Sequence, residues 1–273
     1  MTDYVIAIYC FIDDFLKATG HKNHPLRQMT DAEIMTTALV ASRYFSGNHQ
    51  KTLKYMQEHH QVDIIDKSGF NRYLHALSDQ LNALFIGLGN SLKSLNIESQ
   101  YLIDSFPVSV CRNIRIPRNK LLKEEVYRGK NVSKREYFYG FKVQVITTAE
   151  GIPVEYFISA GAFADITAFQ SMNIDLPPGS TMFGDSGYTD YGLEDFYRQC
   201  EDINLLIYRK KNSKRADSAA MAFIKKQMRK RIETTFSEIV AFFPQKIHAV
   251  TPQGFLLKVF LFLFAYTLEK TIR

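Results

Sequence analysis

The sequence predicts a mixed α/β sheet flanked by helices and preceded by an all-helical segment. Three observations carry this. Apolar residues recur at helical spacing through about residue 96, strand-like alternation begins near residue 99, and helices and strands then interleave. The expected division is a helical domain over 1–96 and an α/β domain over 97–273.

Within the first domain, apolar residues at 5, 8, 12, 15 and 16 form one helical stripe. Thr30 and Glu33 stand at capping-box spacing before Ile34, Ala38, Ala41 and Phe45. Phe70, Leu74, Leu77, Leu81, Leu84 and Leu88 follow at three- and four-residue steps. Read as one long helix, that stripe leaves Asn71, Arg72 and His75 on the other face. Two readings of this face stand: a DNA-reading helix, or the polar exterior of an ordinary bundle.

In the second domain, "YLIDSFPV" is an apolar run, and Phe141, Val143 and Val145 alternate with Lys142 and Gln144. "AEG" marks a turn and "IPVEYFISA" a return strand, so 137–159 reads as a hairpin. A helix is expected over 164–172, a short strand at "TMFGD", a helix at "YGLEDFYRQC" and a strand at "INLLIY". A long helix carrying "MRKRIETTFSEI" follows, then a C-terminal apolar helix. That last stretch, 255–268, is shorter than the roughly 20 residues of a membrane span and is broken by Lys258.

Composition and charge bound the function. Hydrophobic residues make up 46% of the 273, enough for a sizeable core. Three cysteines without paired spacing argue against a disulfide framework and for a reducing compartment. No secretory leader is visible at the N-terminus, and a cytoplasmic, nucleoid-associated location is expected. Net charge is +6 and segregated. Nine Lys/Arg against two acids lie between Arg112 and Arg135, and ten against two between Tyr208 and Glu233. Between those blocks, Ala149–Asp202 holds ten acids and one base. Two basic blocks bracketing an acidic one suit a polyanion held beside carboxylates.

Three carboxylates stand out by context: Asp104 inside an apolar strand, Asp185 ending a short one, and Glu233 on the long helix. An ionised carboxylate on a buried strand is costly unless it is paired or binds a cation. Two aspartates on strands and a glutamate on a helix supply the hard oxygen donors that Mg²⁺ takes. Each has a plainer account. Asp104 can cap a strand end or pair with a lysine, Asp185 can serve the turn before Gly187, and Glu233 sits four residues after Arg229, ion-pair spacing on a helix. Ser186 beside Asp185 lacks a sequence-local histidine or an elbow motif, so nucleophilic serine chemistry is set aside.

"LIDSFPVSVC", "FYGFKVQVITTAEGIPVEYFISAG", "LPPGSTMFGDSGYTDY" and "RKRIETTFSEI" resemble, in order, the DDE transposases of bacterial insertion sequences, those of the insertion sequence 982 family most closely. The resemblance implies a ribonuclease H-like fold with Asp104, Asp185 and Glu233 as a catalytic, metal-binding triad. It implies two divalent cations, Mg²⁺ with Mn²⁺ as substitute. It also implies hydrolysis at the element's terminal inverted repeats, strand transfer into target duplex DNA, and a homodimer or larger assembly on DNA. DNA-facing roles are expected for Lys142, Arg229 and Arg231, for Arg209, Lys210, Lys211, Lys214 and Arg215 in the basic insert, and for Arg72. Asp165 departs from the pattern, since Ala164 precedes it where relatives often carry histidine; a helix N-terminal role beside the triad is expected. The rival readings are a nuclease or resolvase of the same fold, and a repurposed DNA-binding protein without catalysis.

Overall fold

In a computed structural model, residues 1–23, 25–131, 135–210 and 212–272 are described. They divide into two compact units: 1–87 with 242–273, and 88–241. The division expected at 96/97 leaves the C-terminal helix with the α/β segment, whereas 242–273 clusters with the first 87 residues.

The first unit is helical. Its elements are α1 (Thr2–Ala18), α2 (Asp31–Tyr44), α3 (His49–His60), α4 (Lys67–Ala76), the first part of α5 (Ser78–Leu95), and α9 (Pro252–Thr271). Thr30 caps α2 as its spacing predicts. Its hydroxyl accepts from the Glu33 amide at 3.2 Å, and its own amide donates to Glu33 Oε2 at 2.7 Å. The α2 residues Ile34–Ala41 are buried on all sides, so this helix is the centre of the unit. α9 is equally apolar from Val259 to Leu268, which explains its composition without a membrane. Among the described residues no helix is long and apolar enough to cross a bilayer.

The single long helix read over 68–88 is in fact two. α4 ends at Ala76, its cap Leu77 keeps a buried place between the helices, and α5 begins at Ser78. The stripe persists across the break because both helices pack the same apolar set inward: Phe70, Leu74, Leu77, Leu81 and Leu84 are all buried.

Among the described residues the second unit carries six strands in one sheet: β1 (Gln100–Cys111), β2 (Arg128–Asn131), β3 (Glu136–Thr148), β4 (Pro153–Ala160), β5 (Thr181–Gly184) and β6 (Asn204–Ile207). The order β2-β3-β1-β5-β6 has β4 pairing β3 beyond the short β2. β1, β3 and β4 are antiparallel neighbours, and β5 and β6 add in parallel to β1. The expected hairpin is β3–β4. The helices α6 (Asp165–Gln170), α7 (Tyr191–Cys200) and α8 (Ala219–Phe242) interleave as read. This is the mixed sheet flanked by helices that the sequence predicts, and it is compatible with a ribonuclease H-like fold. Tyr101, Ile103, Ile146, Met182, Tyr188 and Ile207 form the centre of its core.

Candidate active site

The sheet explains why a strand ends on an aspartate. β1 and β5 run parallel with Ile103 opposite Gly184, so Asp104 and Asp185 are the next residues along two adjacent strands. Parallel pairing keeps both strands in one direction, so the two carboxylates emerge at the same end of the sheet. Gly184 lets the strands close there, because a Cβ on it would press on Ile103 and Ile207, each 3.0 Å away.

Around this pair the chain gathers further polar groups. Asp104 Oδ1 accepts from the Ser105 amide at 2.8 Å, and Asp185 Oδ1 accepts from the Gly187 amide. Asp165 heads α6 and is held from three directions. Ser105 Oγ donates to its Oδ1 at 2.7 Å, Lys142 Nζ lies 3.2 Å from the same oxygen, and Gln144 Nε2 donates to its carbonyl at 3.1 Å. A Cβ at Gly187 would stand 3.0 Å from Asp185 Oδ1 and 3.5 Å from Asp165 Oδ2, so one small residue separates those two carboxylates. The Tyr188 ring is buried beside them, its hydroxyl without a hydrogen bond among the described residues.

The electrostatics follow from this crowding. Burial pushes the Asp104 carboxyl up to about 7, and the charges of Asp185, Asp165 and Glu233 add to the rise against the opposing Ser105 bond. Tyr188 is raised by burial first and then by Asp104, Asp165 and Asp185. Among the described residues neither Asp104 nor Asp185 has a lysine or arginine partner. The lysine account of Asp104 therefore fails, and Lys142 serves Asp165 instead.

Glu233 stands apart. Its side chain is 62% exposed and its Oε1 is 3.1 Å from Arg229 Nε, the ion pair that their spacing allows. Among the described residues no group of three His, Cys, Asp or Glu is gathered closely enough to enclose a metal. The donor set suits a hard cation all the same: it is all oxygen, partly desolvated and short of positive partners.

The basic residues named from the sequence divide by partner. Arg209 makes a two-pronged bond with Glu194 at 2.7 and 2.5 Å, and Arg215 does the same with Asp195 at 2.7 and 2.6 Å. Both guanidinium groups also lie over the Tyr191 ring. Arg229 lies over Tyr208 and bonds Glu233. Lys210, Lys214 and Arg231 are exposed in the second unit, and Arg72 is exposed on α4 over its neighbour Tyr73. Lys211 lies outside the described residues. The Asp165–Ser105–Gln144 network was not predicted from sequence; the alternation that puts Gln144 among apolar residues was its only signal.

No curated protein and no solved structure matches the chain. The family of transposase DDE domains matches residues 95–248, more than half of the 273, and this span holds β1, β5 and all of α8 with all three acids. By its sheet order, its paired aspartates and this match, the chain belongs to the transposase DDE domain family.

Proposed function

We propose that this chain is a DNA transposase of the insertion sequence 982 type. In this reading Asp104, Asp185 and Glu233 hold two divalent cations, Mg²⁺ or Mn²⁺, and the substrate is duplex DNA at the element ends. The observation that carries it is the parallel register of β1 and β5, which sets two aspartates side by side without a cationic partner.

The cations, when bound, supply an activated water or hydroxyl and stabilise the leaving oxygen of an in-line phosphodiester displacement. The protein's part is positional. Asp104 and Asp185 offer carboxylate oxygens from neighbouring strand ends, and the amides of Ser105 and Gly187 orient them. Lys142 and Ser105 fix Asp165 next to the pair, where it supports the site from α6. Glu233 joins by leaving Arg229, an exposed helical ion pair worth only about 0.3–0.5 kcal/mol. Arg229 is then free to meet a phosphate. Hydrolysis frees a 3′-hydroxyl, which the same residues align on target DNA for strand transfer.

The test is an assay that separates cutting from joining on a labelled element-end duplex. Wild type cleaves and joins with Mg²⁺. Asp104→Asn and Asp185→Asn each lose cleavage by at least about 10³-fold, the scale expected for charge stabilisation at a reacting phosphate, while DNA binding stays within about twofold. Cleavage without joining favours a nuclease of this fold. Either variant cutting at the wild-type rate removes the assignment.

A further inference from the structure

The helical unit has a cleft of its own. It has a volume of about 670 Å³ and continues into a second lobe of about 430 Å³; His49, Lys67 and Lys258 line both. First-turn residues of three helices meet there: His49 and Lys51 of α3, Lys67 of α4, and Gly254 of α9, whose cap is Thr251. Helix N-termini carry partial positive charge, but here the side chains of Asn48, Asp66 and Thr251 already accept from first-turn amides of α3, α4 and α9.

The positive field of the cleft comes from lysine side chains. Lys51, Lys67, Lys246 and Lys258 line the larger lobe, and neither lobe has an acidic residue in its wall. Lys51, Lys67 and Lys246 are exposed and make no ion pair among the described residues. Among the described residues Lys258 is satisfied by backbone alone, donating to the His248 carbonyl at 2.7 Å; burial and the charge of Lys67 lower its pKa.

A second, independent feature lies at the floor. His49 is 5% exposed and its Nδ1 is 2.9 Å from Asn71 Oδ1, which makes Nδ1 the protonated nitrogen of a neutral ring. Its Nε2 is buried and has no partner among the described residues. A polar atom left so costs about 1–3 kcal/mol, so a binding partner there is worth having.

We propose that this cleft holds the sugar–phosphate backbone of DNA, with Lys51, Lys67 and Lys246 on successive phosphates and His49 at its floor. The proposal rests on the reading of the chain as a DNA-handling protein. Unpaired cations spread along an open cleft suit a chain of phosphates better than a single small anion. The neutral ring meets the backbone through a water that donates one hydrogen to Nε2 and the other to a phosphate oxygen.

The test uses the full chain in EDTA, so catalysis does not enter. Binding of a fluorescein-labelled mixed-sequence duplex is followed by anisotropy over a range of KCl for wild type and for Lys67→Ala/Lys246→Ala. Both lysines are exposed, so the fold should be kept, and circular dichroism checks this. The log–log salt slope should flatten by about 1.8, two contacts at about 0.9 each. Amine-acetylation mapping should show Lys51, Lys67 and Lys246 protected by the duplex. An unchanged slope with equal labelling, while wild type still binds, overturns the cleft and leaves the proposed function standing. No salt-sensitive DNA binding by wild type overturns both.

Discussion

His49 and Asp104 are the two residues whose surroundings most alter their chemistry. Burial drives the His49 imidazole down to about 4, against the rise from its Asn71 bond, and Lys258, Lys67 and His75 push the same way as burial. The folded chain therefore binds fewer protons than the unfolded one between about pH 4 and 6.5. Stability from this group is full above about pH 6.5 and is lost as pH falls toward 4, by up to about 3 kcal/mol. Thermal melts of wild type at about pH 7.5 and about pH 5 should show that loss, and His49→Gln should flatten it. Equal slopes would deny the burial argument. Asp104 was legible in the sequence because a charge inside the apolar run "YLIDSFPV" is costly unless it is paired or binds a cation. His49 was not, since its burial is made by α4 and residues near 248, far away in the chain. Asp165 was legible only as a helix start; its bonds to Ser105, Lys142 and Gln144 depend on strand register.

Elements with a strong internal pattern were readable, and those built from close approach were not. The β3–β4 hairpin follows from alternation plus the Gly151 turn, where φ is +85° and a glycine is needed. β2 went unread because "RGKN" has no apolar alternation; it exists by adding to the exposed end of β3. The break between α4 and α5 was hidden because the buried stripe runs straight through Leu77. Gly89 on α5 is a sharper case. A Cβ there would press into the carbonyl oxygen of Val154 at the start of β4, a backbone atom that cannot rotate away. Gly89→Ala should therefore destabilise the second unit by about 1–3 kcal/mol despite its better helix propensity, as urea unfolding would show. A stabilising effect would mean that β4 yields easily.

At the scale of the molecule, charge segregation was the clearest guide to a polyanion partner, and pairing decides how much of it is available. Arg209 and Arg215 are committed to Glu194 and Asp195, while Lys210 and Lys214 are exposed. Lys210→Ala/Lys214→Ala should weaken DNA binding and flatten its salt slope by up to about 1.8. Arg209→Ala should chiefly cost stability, because it strands the buried Glu194. A slope change from Arg209 alone, with stability unchanged, would contradict that division. The return of 242–273 to the first unit was invisible, since an apolar helix carries no mark of which core it completes. The central claim is that Asp104 and Asp185 hold cations, and counting bound Mn²⁺ by electron paramagnetic resonance, with DNA present, tests it most directly. Two ions per wild-type chain, falling in both Asp104→Asn and Asp185→Asn, is the predicted result. An unchanged count in both variants, or DNA cleavage that proceeds in EDTA, would contradict it.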